Sequence, residues 1–432
     1  MTEKHSNNSG LSVPLLPEWG HHDKGQAIAA EKAIASHASS DRNVSFFRTC
    51  INGLNAISGV GILSVPYALA SGGWISLGFL LVFATAAFYT AILMKRCLDL
   101  NPNLRSYPDI GELAFGKIGR LLVSAVIYTE LYLVSTGFLI LEGDNLNNIF
   151  PIGEFQIAGL TINGQQFFVI LVAIIILPTV WLDNLSLLSY VSASGVFASA
   201  IIILSITWTG ALDGVGFNQK GTLVNWNGIP TAVSLYAFCY CAHPVFPTLY
   251  TSMKSKQQFS TVLLISFVLS TAGYAAMAVI GYLMFGPAVE SQVTLSLPLD
   301  KVSSKIAIYT TLVNPICKFA LMATPITNAL NDLLPRRYRN RVTNILVSTV
   351  LVISSTIVAL SVPFFAYLMS LVGAFLSVTA SILLVCLCYL KISGTYKKFG
   401  IETVIIVVIV IAAIAIGISG TYTSILDIVE HL

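Results

Sequence analysis

The stretch SFFRTCINGLNAISGVGILSVPYA, residues 45–68, decides the fold of this chain. It is apolar over most of its length, yet Gly59, Gly61 and Pro66 fall within it. Glycine weakens a helix, and proline removes a backbone donor from it. If the stretch crosses a membrane, the freed backbone groups cannot face lipid and must line protein or a cavity. The sequence therefore predicts a broken membrane helix, with a plain kink and close packing at the glycines as the simpler alternative.

The composition of the 432 residues indicates a membrane protein. Hydrophobic residues make up 55% of the chain and charged residues 10%, against about 25% charged residues in soluble domains. These proportions exclude a soluble, disordered, collagen-like or disulfide-scaffold protein, and the net charge of +3 is too small to indicate nucleic-acid binding. The seven cysteines show no CxxC or Cys/His metal spacing. We therefore expect no structural disulfide, no metal and no other cofactor.

Eleven segments are long and apolar enough for membrane-crossing helices, which need about 20 residues. They are 46–70, 73–95, 119–142, 165–182, 187–211, 228–251, 260–285, 303–330, 342–363, 365–390 and 401–425. Residues 1–45 are polar and predict a disordered cytosolic tail. With that tail in the cytosol, nineteen of the 23 Lys and Arg residues fall on the cytosolic side, as the positive-inside rule requires. The C-terminus then ends on the opposite side, and the sequons at Asn7, Asn43 and Asn184 are cytosolic and predict no N-glycan.

A second interrupted helix occurs at residues 238–247, FCYCAHPVFP, where two prolines and a histidine stand in an apolar segment. A plain kink is again the simpler alternative. If 46–211 and 228–390 are two five-helix repeats, both breaks lie in the first helix of a repeat. Paired interrupted helices in matching positions indicate the binding site of a secondary transporter. The sequence thus predicts an all-α integral membrane protein with a 5+5 inverted repeat (LeuT-like), helices 1 and 6 broken at the midplane, and an eleventh helix at 401–425.

Backbone groups at the two breaks are the predicted substrate-binding groups. The N-termini of half-helices carry partial positive charge, so the exposed amides of the first break can hold a carboxylate. These amides belong to Ser58, Gly59, Val60, Gly61 and Ile62. Unwound carbonyls from Phe238 to Ala242 can hold an ammonium group, while Tyr240 and Cys241 shape the pocket. This pairing suits a zwitterionic amino acid.

Three ionisable residues inside the predicted spans are candidates for ion coupling: Glu130, His243 and Lys318. Such residues are costly in a bilayer and are functional hypotheses by default. A structural ion pair of Glu130 with Lys318, or a Lys318 side chain reaching to the interface, is the alternative. A sodium ion often bridges helices 1 and 8 in inverted-repeat transporters, and the Lys318 ammonium can replace it, which favours proton coupling.

His243 can titrate near neutral pH, although a neutral packed histidine is an equal alternative. Glu142 and Asp144 lie near the end of a predicted span, where we expect them to be solvated.

The run 45–68 resembles the opening span of the amino acid/auxin permease family and, within it, of plant vacuolar amino acid transporters. FLILEGDN at 138–145 and NPICKFALM at 314–322 are similar to the same group. The resemblance covers about residues 44–425. It implies the inverted-repeat fold and proton-driven transport of neutral amino acids, usually across the vacuolar membrane, with substrate bound at 58–62. The implied partners are an amino acid, protons and the lipid bilayer.

Other functions stay open at this point. An amino acid sensor (transceptor) of the same fold, or a transporter of auxin or GABA, fits the same features, and the plasma membrane is the alternative location. A membrane enzyme is disfavoured because the sequence has no GxSxG motif, His/Asp cluster or metal spacing. A channel is also disfavoured. It has no need of alternating access, and it more often assembles around a symmetry axis.

Overall fold

The computed structural model describes residues 44–101, 103–157, 160–181, 186–397 and 400–431. The predicted tail 1–45 therefore lies almost wholly outside the described residues, as do the sequons at Asn7, Asn43 and Asn184. Within the described residues the structure is helical apart from turns, loops and one short hairpin.

The helices cover the predicted apolar segments, and most of their bounds lie within a few residues of those segments; the segment 119–142 is part of a longer helix. In chain order they are α1 Phe46–Ile57, α2 Val65–Gly72, α3 Ser76–Leu100, α4 Tyr107–Ile149, α5 Gly164–Val180, α6 Ser186–Ala211, α7 Ile229–Cys239, α8 Phe246–Ser252, α9 Phe259–Phe285, α10 Val302–Leu333, α11 Arg341–Ser361, α12 Phe365–Leu371, α13 Leu384–Ser393 and α14 Ile401–His431. Two π-helical segments, Val372–Ser377 and Thr379–Leu383, join α12 to α13.

Eight helical stretches of the described chain are long and apolar enough to cross a membrane. They are Ser76–Leu100, Tyr107–Ile149, Trp226–Ser252, Lys256–Ala288, Val302–Leu333, Arg341–Ser361, Phe365–Ser393 and Ile401–His431. The three other predicted spans coincide with the pair α1 and α2, with α5 and with α6. Of these, Gly164–Val180 and the part Gly195–Ala211 of α6 are apolar but shorter than the eight stretches. The protein is therefore an integral membrane protein, and a total of eleven crossings stays a prediction.

The hairpin was not predicted from the sequence. Its strands, β1 Phe155–Ile157 and β2 Leu160–Ile162, pair antiparallel. Three residues per strand give too short an alternation to stand out, since a strand signal needs about four to eight residues.

Helix ends are set by local side chains and glycines. Ser106 caps α4 in a reciprocal capping box with Asp109, and Asn163 caps α5 in the same way with Gln166, which satisfies amides that lack helical acceptors. Gly116, at φ 67°, interrupts α4, so the first two turns of this helix are separate from its long apolar part.

The two ends of the bundle differ in their basic residues. One end carries Lys95, Arg96, Lys254 and Lys256 and is called the basic end below. There, Val44 pairs with Met253, Tyr250 donates to Asp99 over 2.5 Å, and Arg96 pairs with Glu402. At the opposite end, the Trp74 indole donates to the Lys220 carbonyl over 2.9 Å. Asn145 bonds Gln292 at that end as well.

The broken stretches lie in the centre of the helical bundle, and α14 lies at its edge. The apolar window of Trp226–Ser252 is 72% buried, whereas that of Ile401–His431 is 17% buried. A helix that is apolar on all sides and mostly uncovered faces lipid, so α14 is a peripheral addition to the bundle.

Candidate functional site

The first break lies at Ser58 and Gly59, between α1 and α2. The Ser58 amide donates to Leu54 over 2.7 Å, and the Gly59 amide turns back to Ile57 over 2.8 Å. A 3₁₀ turn, Val60–Leu63, follows. Pro66 stands in the first turn of α2, where a helix needs no donor. The break is therefore made by the residues around Gly59, and Pro66 begins the next helix.

Two amides at this break face no acceptor. Among the described residues, the Val60 and Gly61 N–H groups have no hydrogen-bond partner, whereas the Ile62 amide reaches the Gly59 carbonyl over 3.4 Å. These are two of the five amides that the sequence predicts for a carboxylate.

The second break runs from Tyr240 to Ala242, between α7 and a 3₁₀ turn at His243–Val245 that leads into α8. The Tyr240 ring stacks on Phe267 at 5.9 Å between centroids. Its hydroxyl lies 2.8 Å from Thr271. Tyr240 and Phe238 are both buried, while Cys241 is partly exposed. The aromatic ring of the break is thus fixed against α9.

The two breaks touch one another at Gly61 and Cys239. A Cβ atom added to Gly61 would lie 2.7 Å from the Cys239 Sγ and 3.3 Å from its Cα. Such distances leave no room for a side chain, so the close approach of the two broken helices requires glycine at position 61.

One tyrosine contacts carbonyl groups at both breaks. The Tyr274 hydroxyl, from α9, lies 2.5 Å from the Ile57 carbonyl oxygen and 3.2 Å from that of Cys239. It is fully buried. The Ile57 carbonyl also accepts from the Gly59 amide, whereas Tyr274 is the one donor to the Cys239 carbonyl among the described residues. A buried carbonyl without a donor costs about 1–3 kcal/mol, so Tyr274 stabilises this arrangement. Sequence reasoning missed Tyr274, and the available signal was a tyrosine in an apolar helix, because buried tyrosine hydroxyls need a partner.

Lys318 brings its amino group to the first break. Its side chain is 5% exposed, and its Nζ lies 3.5 Å from the Ser58 carbonyl oxygen. Gly195 of α6 lies against it, since a Cβ there would be 3.6 Å from the Lys318 Cε. The amino group of α10 thus reaches the unwound part of the first broken helix.

Glu130 lies on α4 and makes a different contact. It is 3% exposed and accepts a hydrogen bond of 2.6 Å from Ser377 in the π-helical segment. No Glu130–Lys318 ion pair occurs among the described residues. The ion-pair alternative is therefore not the arrangement in this structure. π-helical segments occur frequently at functional sites. Here, such a segment carries the serine that donates to the Glu130 carboxyl group.

His243 connects the second break to α3. Its Nε2 lies 3.0 Å from the Thr90 Oγ1 and 3.2 Å from the Ala87 carbonyl oxygen. The Thr90 hydroxyl itself donates to Ala87 over 2.9 Å, so this geometry suits a neutral ring with its proton on Nε2. The fully buried imidazole packs against Phe246, which is the packed alternative considered from the sequence.

A small cavity adjoins the first break. Its volume is about 10 Å³, and three predicted binding residues line it, namely Gly59, Val60 and Ile62. Leu63, Ser199, Ile202, Thr311 and Asn314 complete the lining. Of these, Ser199 receives a 3.0 Å hydrogen bond from the Ser58 hydroxyl. The cavity has room for about one water molecule, so it is too small to hold an amino acid in this arrangement.

The remaining predicted residues, Ser58, Gly61, Phe238, Tyr240 and Cys241, surround the two breaks without lining that cavity. Sequence reasoning missed the polar residues that α6 and α10 contribute to the lining, because a single Ser, Thr or Asn in an apolar helix has no pattern of its own.

Glu142 departs from the prediction made for it. It is 1% exposed, because α4 continues to Ile149 beyond the predicted span end at 142. The expectation that Glu142 is solvated is therefore wrong, whereas Asp144 keeps partial exposure.

Comparisons with solved structures define the class of protein through its fold. The structure of MhsT in complex with L-phenylalanine covers 88% of this chain and 99% of its own, with a TM-score of 0.54 and 13% identity. Mhp1, a nucleobase-cation-symport-1 family transporter in a closed conformation, has a TM-score of 0.53 at 13% identity, covering 89% and 91%. The chain thus has the fold of these membrane transporters.

The chain belongs to the transmembrane amino acid transporter protein family, whose model matches residues 42–426. It is 59% identical over 386 residues to amino acid transporter AVT1I of Arabidopsis thaliana, covering 89% of this chain and 95% of the relative. Amino acid transporters are not enzymes, so the family membership also settles that alternative. It agrees with the resemblance drawn from residues 45–68.

Proposed function

We propose that this protein is a secondary active transporter that moves neutral amino acids by alternating access and couples their movement to protons. The meeting of the two broken helices at Gly61 and Cys239, with the Lys318 amino group 3.5 Å from the Ser58 carbonyl, carries the proposal. The helices then form eleven crossings, with repeats at 46–211 and 228–390 and an appended eleventh helix. The burial difference between the second broken stretch and α14 supports that last assignment.

The free amides at the first break support an amino acid as substrate. The N–H groups of Val60 and Gly61 have no other partner among the described residues, and two such donors can hold a carboxylate. Carbonyl groups at Phe238 to Ala242 are the acceptors for the substrate ammonium. Because the cavity lining carries no charged side chain, the site suits an uncharged substrate side chain.

Proton coupling is proposed from the position of Lys318. A lysine ammonium beside an unwound carbonyl occupies the role of a bound monovalent cation. Its charge can be lost by deprotonation when the surroundings change. Glu130 and His243 are proposed to assist, through their contacts with the π-helical segment and with α3.

The vacuolar membrane is the proposed location, with the N-terminus in the cytosol and the C-terminus in the lumen. The basic end of the molecule would face the cytosol, as the positive-inside rule requires. The alternative is the plasma membrane with the same orientation.

Uptake into liposomes tests the proposal. Purified protein is reconstituted, and uptake of labelled amino acids is followed with an imposed pH gradient, with and without sodium. We expect uptake that needs the gradient, ignores sodium and disappears with a protonophore. Uptake that requires sodium would refute the role of Lys318, and binding without any transport would favour a sensor.

A further inference from the structure

A buried carboxyl group without partners lies near the C-terminal end of α4, at the end of the molecule opposite to the basic end. Glu142 is 1% exposed, and neither of its oxygens has a hydrogen-bond partner among the described residues. It is twelve residues from Glu130 on the same helix, which is about 18 Å at 1.5 Å per residue. It is therefore separate from the site described above.

Buried side-chain nitrogen and oxygen atoms without a hydrogen-bond partner concentrate around this carboxyl group, among the described residues. Five of the thirteen lie between residues 142 and 148, namely both Glu142 oxygens, the Asn145 Oδ1, the Asn147 Oδ1 and the Asn148 Nδ2. Asn147 and Asn148 are partly exposed, and Phe150 after them is exposed. Buried polar atoms normally have partners, so this run of groups suits hydration of Glu142 when the opposite end opens.

The neighbouring carboxyl group has the partners that Glu142 lacks. Asp144 accepts from the Gln165 amide over 2.5 Å and from the Gln292 amide over 2.8 Å. Gln292 in turn accepts from Asn145 over 2.5 Å. Two donors make a carboxylate tolerable at Asp144, whereas an ionised Glu142 would be a buried charge with no compensation, which costs several kcal/mol.

Among the described residues, no nearby charge compensates Glu142. The sequences of α5 and α12, which pack against α4, hold no Asp, Glu, Lys, Arg or His. The two other packed helices, α11 and α13, hold only Arg341 and Lys391, each at the basic end. The loop before α10 holds Glu290, Asp300 and Lys301, and the last two pair with each other over 3.3 Å. In α10, Lys305 is exposed, Lys318 lies at the first break, and Asp332 pairs with Arg339 at the basic end over 3.1 Å.

We propose that Glu142 is a proton-binding site that controls the closure of the opposite end. In the closed arrangement its carboxyl group is protonated, because only the neutral form is tolerable there. Opening this end admits water, and the carboxylic acid then gives its proton to water, leaving a hydrated carboxylate and a hydronium ion. Because the proton binds Glu142 more tightly in the closed state than in the open state, proton binding shifts the population toward the closed state. Acid on that side therefore favours closure.

This proposal deepens the proposed function, since it adds a gate to a proton-coupled transporter, yet its test needs no transport. An Asn148→Cys variant places a thiol on the partly exposed helix end, and none of the seven native cysteines lies between residues 98 and 238. Its rate of labelling by a maleimide is measured in detergent between pH 5 and 8. The rate is divided by that of a Glu154→Cys variant, because Glu154 is exposed and the ratio removes the pH dependence of the thiol.

We expect the ratio to fall with acid, by at most about tenfold per pH unit, because one proton is bound. Adding Glu142→Gln, a neutral mimic, should make the ratio low at every pH. Adding Glu142→Asp should keep the pH dependence, and so should Asp144→Asn. A pH-independent ratio with Glu142 intact overturns the proposal, and so does a dependence that survives Glu142→Gln or disappears with Asp144→Asn. If the Glu142→Gln protein does not fold, the Asp144→Asn comparison still decides between the two carboxyl groups.

Failure of this test leaves the transport proposal standing, since labelling is measured without substrate or gradient. Conversely, a protein that shows no amino acid uptake but has the predicted labelling ratios would retain the proton site and lose the transport function.

Discussion

Replacing Gly61 by alanine should force the two broken helices apart. The new Cβ would lie 2.7 Å from the Cys239 Sγ and 3.3 Å from the Cys239 Cα. The backbone of Cys239 is held in turn by the Tyr274 hydroxyl, so it cannot retreat without losing that hydrogen bond. Overpacking of this kind costs about 1–3 kcal/mol. We expect Gly61→Ala to lower the thermal stability of the purified protein in detergent and to slow amino acid uptake.

A second substitution isolates the contact. Cys239→Ala removes the Sγ atom that the new methyl group would strike, and leaves the atoms at 3.3 and 3.4 Å. The Gly61→Ala/Cys239→Ala double variant should therefore be more stable than the sum of the single effects predicts, with a coupling of about 0.5–3 kcal/mol, as for residues in contact. Apparent midpoints at a fixed heating rate are compared, because membrane proteins often unfold irreversibly.

Gly59→Ala is the matched control, two residues away in the same break. A Cβ atom there would meet only the Ile57 carbonyl oxygen, at 3.9 Å. Its stability should stay close to that of the natural protein. Equal losses in the Gly59 and Gly61 variants, or strictly additive effects in the double variant, would refute the reasoning that the breaks touch at Cys239.

Three further outcomes follow from contacts described above. Tyr274→Phe should destabilise the protein by about 1–3 kcal/mol, measured by the same melting assay, while an unchanged midpoint would contradict the bridging role of its hydroxyl. Lys318→Met should abolish uptake driven by a pH gradient in liposomes, and unchanged uptake would remove Lys318 from coupling. Glu402→Gln should cost less than about 1 kcal/mol, since its partner Arg96 is 46% exposed and such surface pairs are weak. A larger loss of stability would show that this pair holds α14 in place.

Local sequence carried enough information to predict the helices and both breaks. Gly59 and the run from Tyr240 to Pro244 act on their own backbone, so their effect can be read without knowledge of the fold. The predicted apolar segments coincide with helices for the same reason, because an apolar run of about 20 residues by itself indicates a helix that crosses a membrane. The hairpin at 155–162 is the exception, since three-residue strands form only where a neighbouring strand pairs with them.

Contacts between distant residues could not be predicted from the same information. The Tyr274 hydroxyl meets Ile57 across 217 positions in the sequence, and Glu130 meets Ser377 across 247. Neither partner has a pattern that points to the other. The hypothesis that Lys318 replaces a bound cation came from the ion that often bridges helices 1 and 8 in inverted-repeat transporters, which is information about a fold and not about these residues.

Glu142 shows how the length of one helix decides the role of a residue. A charge at the end of an apolar run predicts a solvated helix end, and Glu142 and Asp144 fit that pattern equally well. Because α4 continues to Ile149, both residues lie within the bundle. Gln165 and Gln292 then reach Asp144 but not Glu142. One acid group thereby keeps donors that stabilise its charge, and the other is left where only its neutral form is stable. This asymmetry arises from the cover that α5 and the loop before α10 place over the helix end, and it makes a two-state response to acid physically reasonable at Glu142.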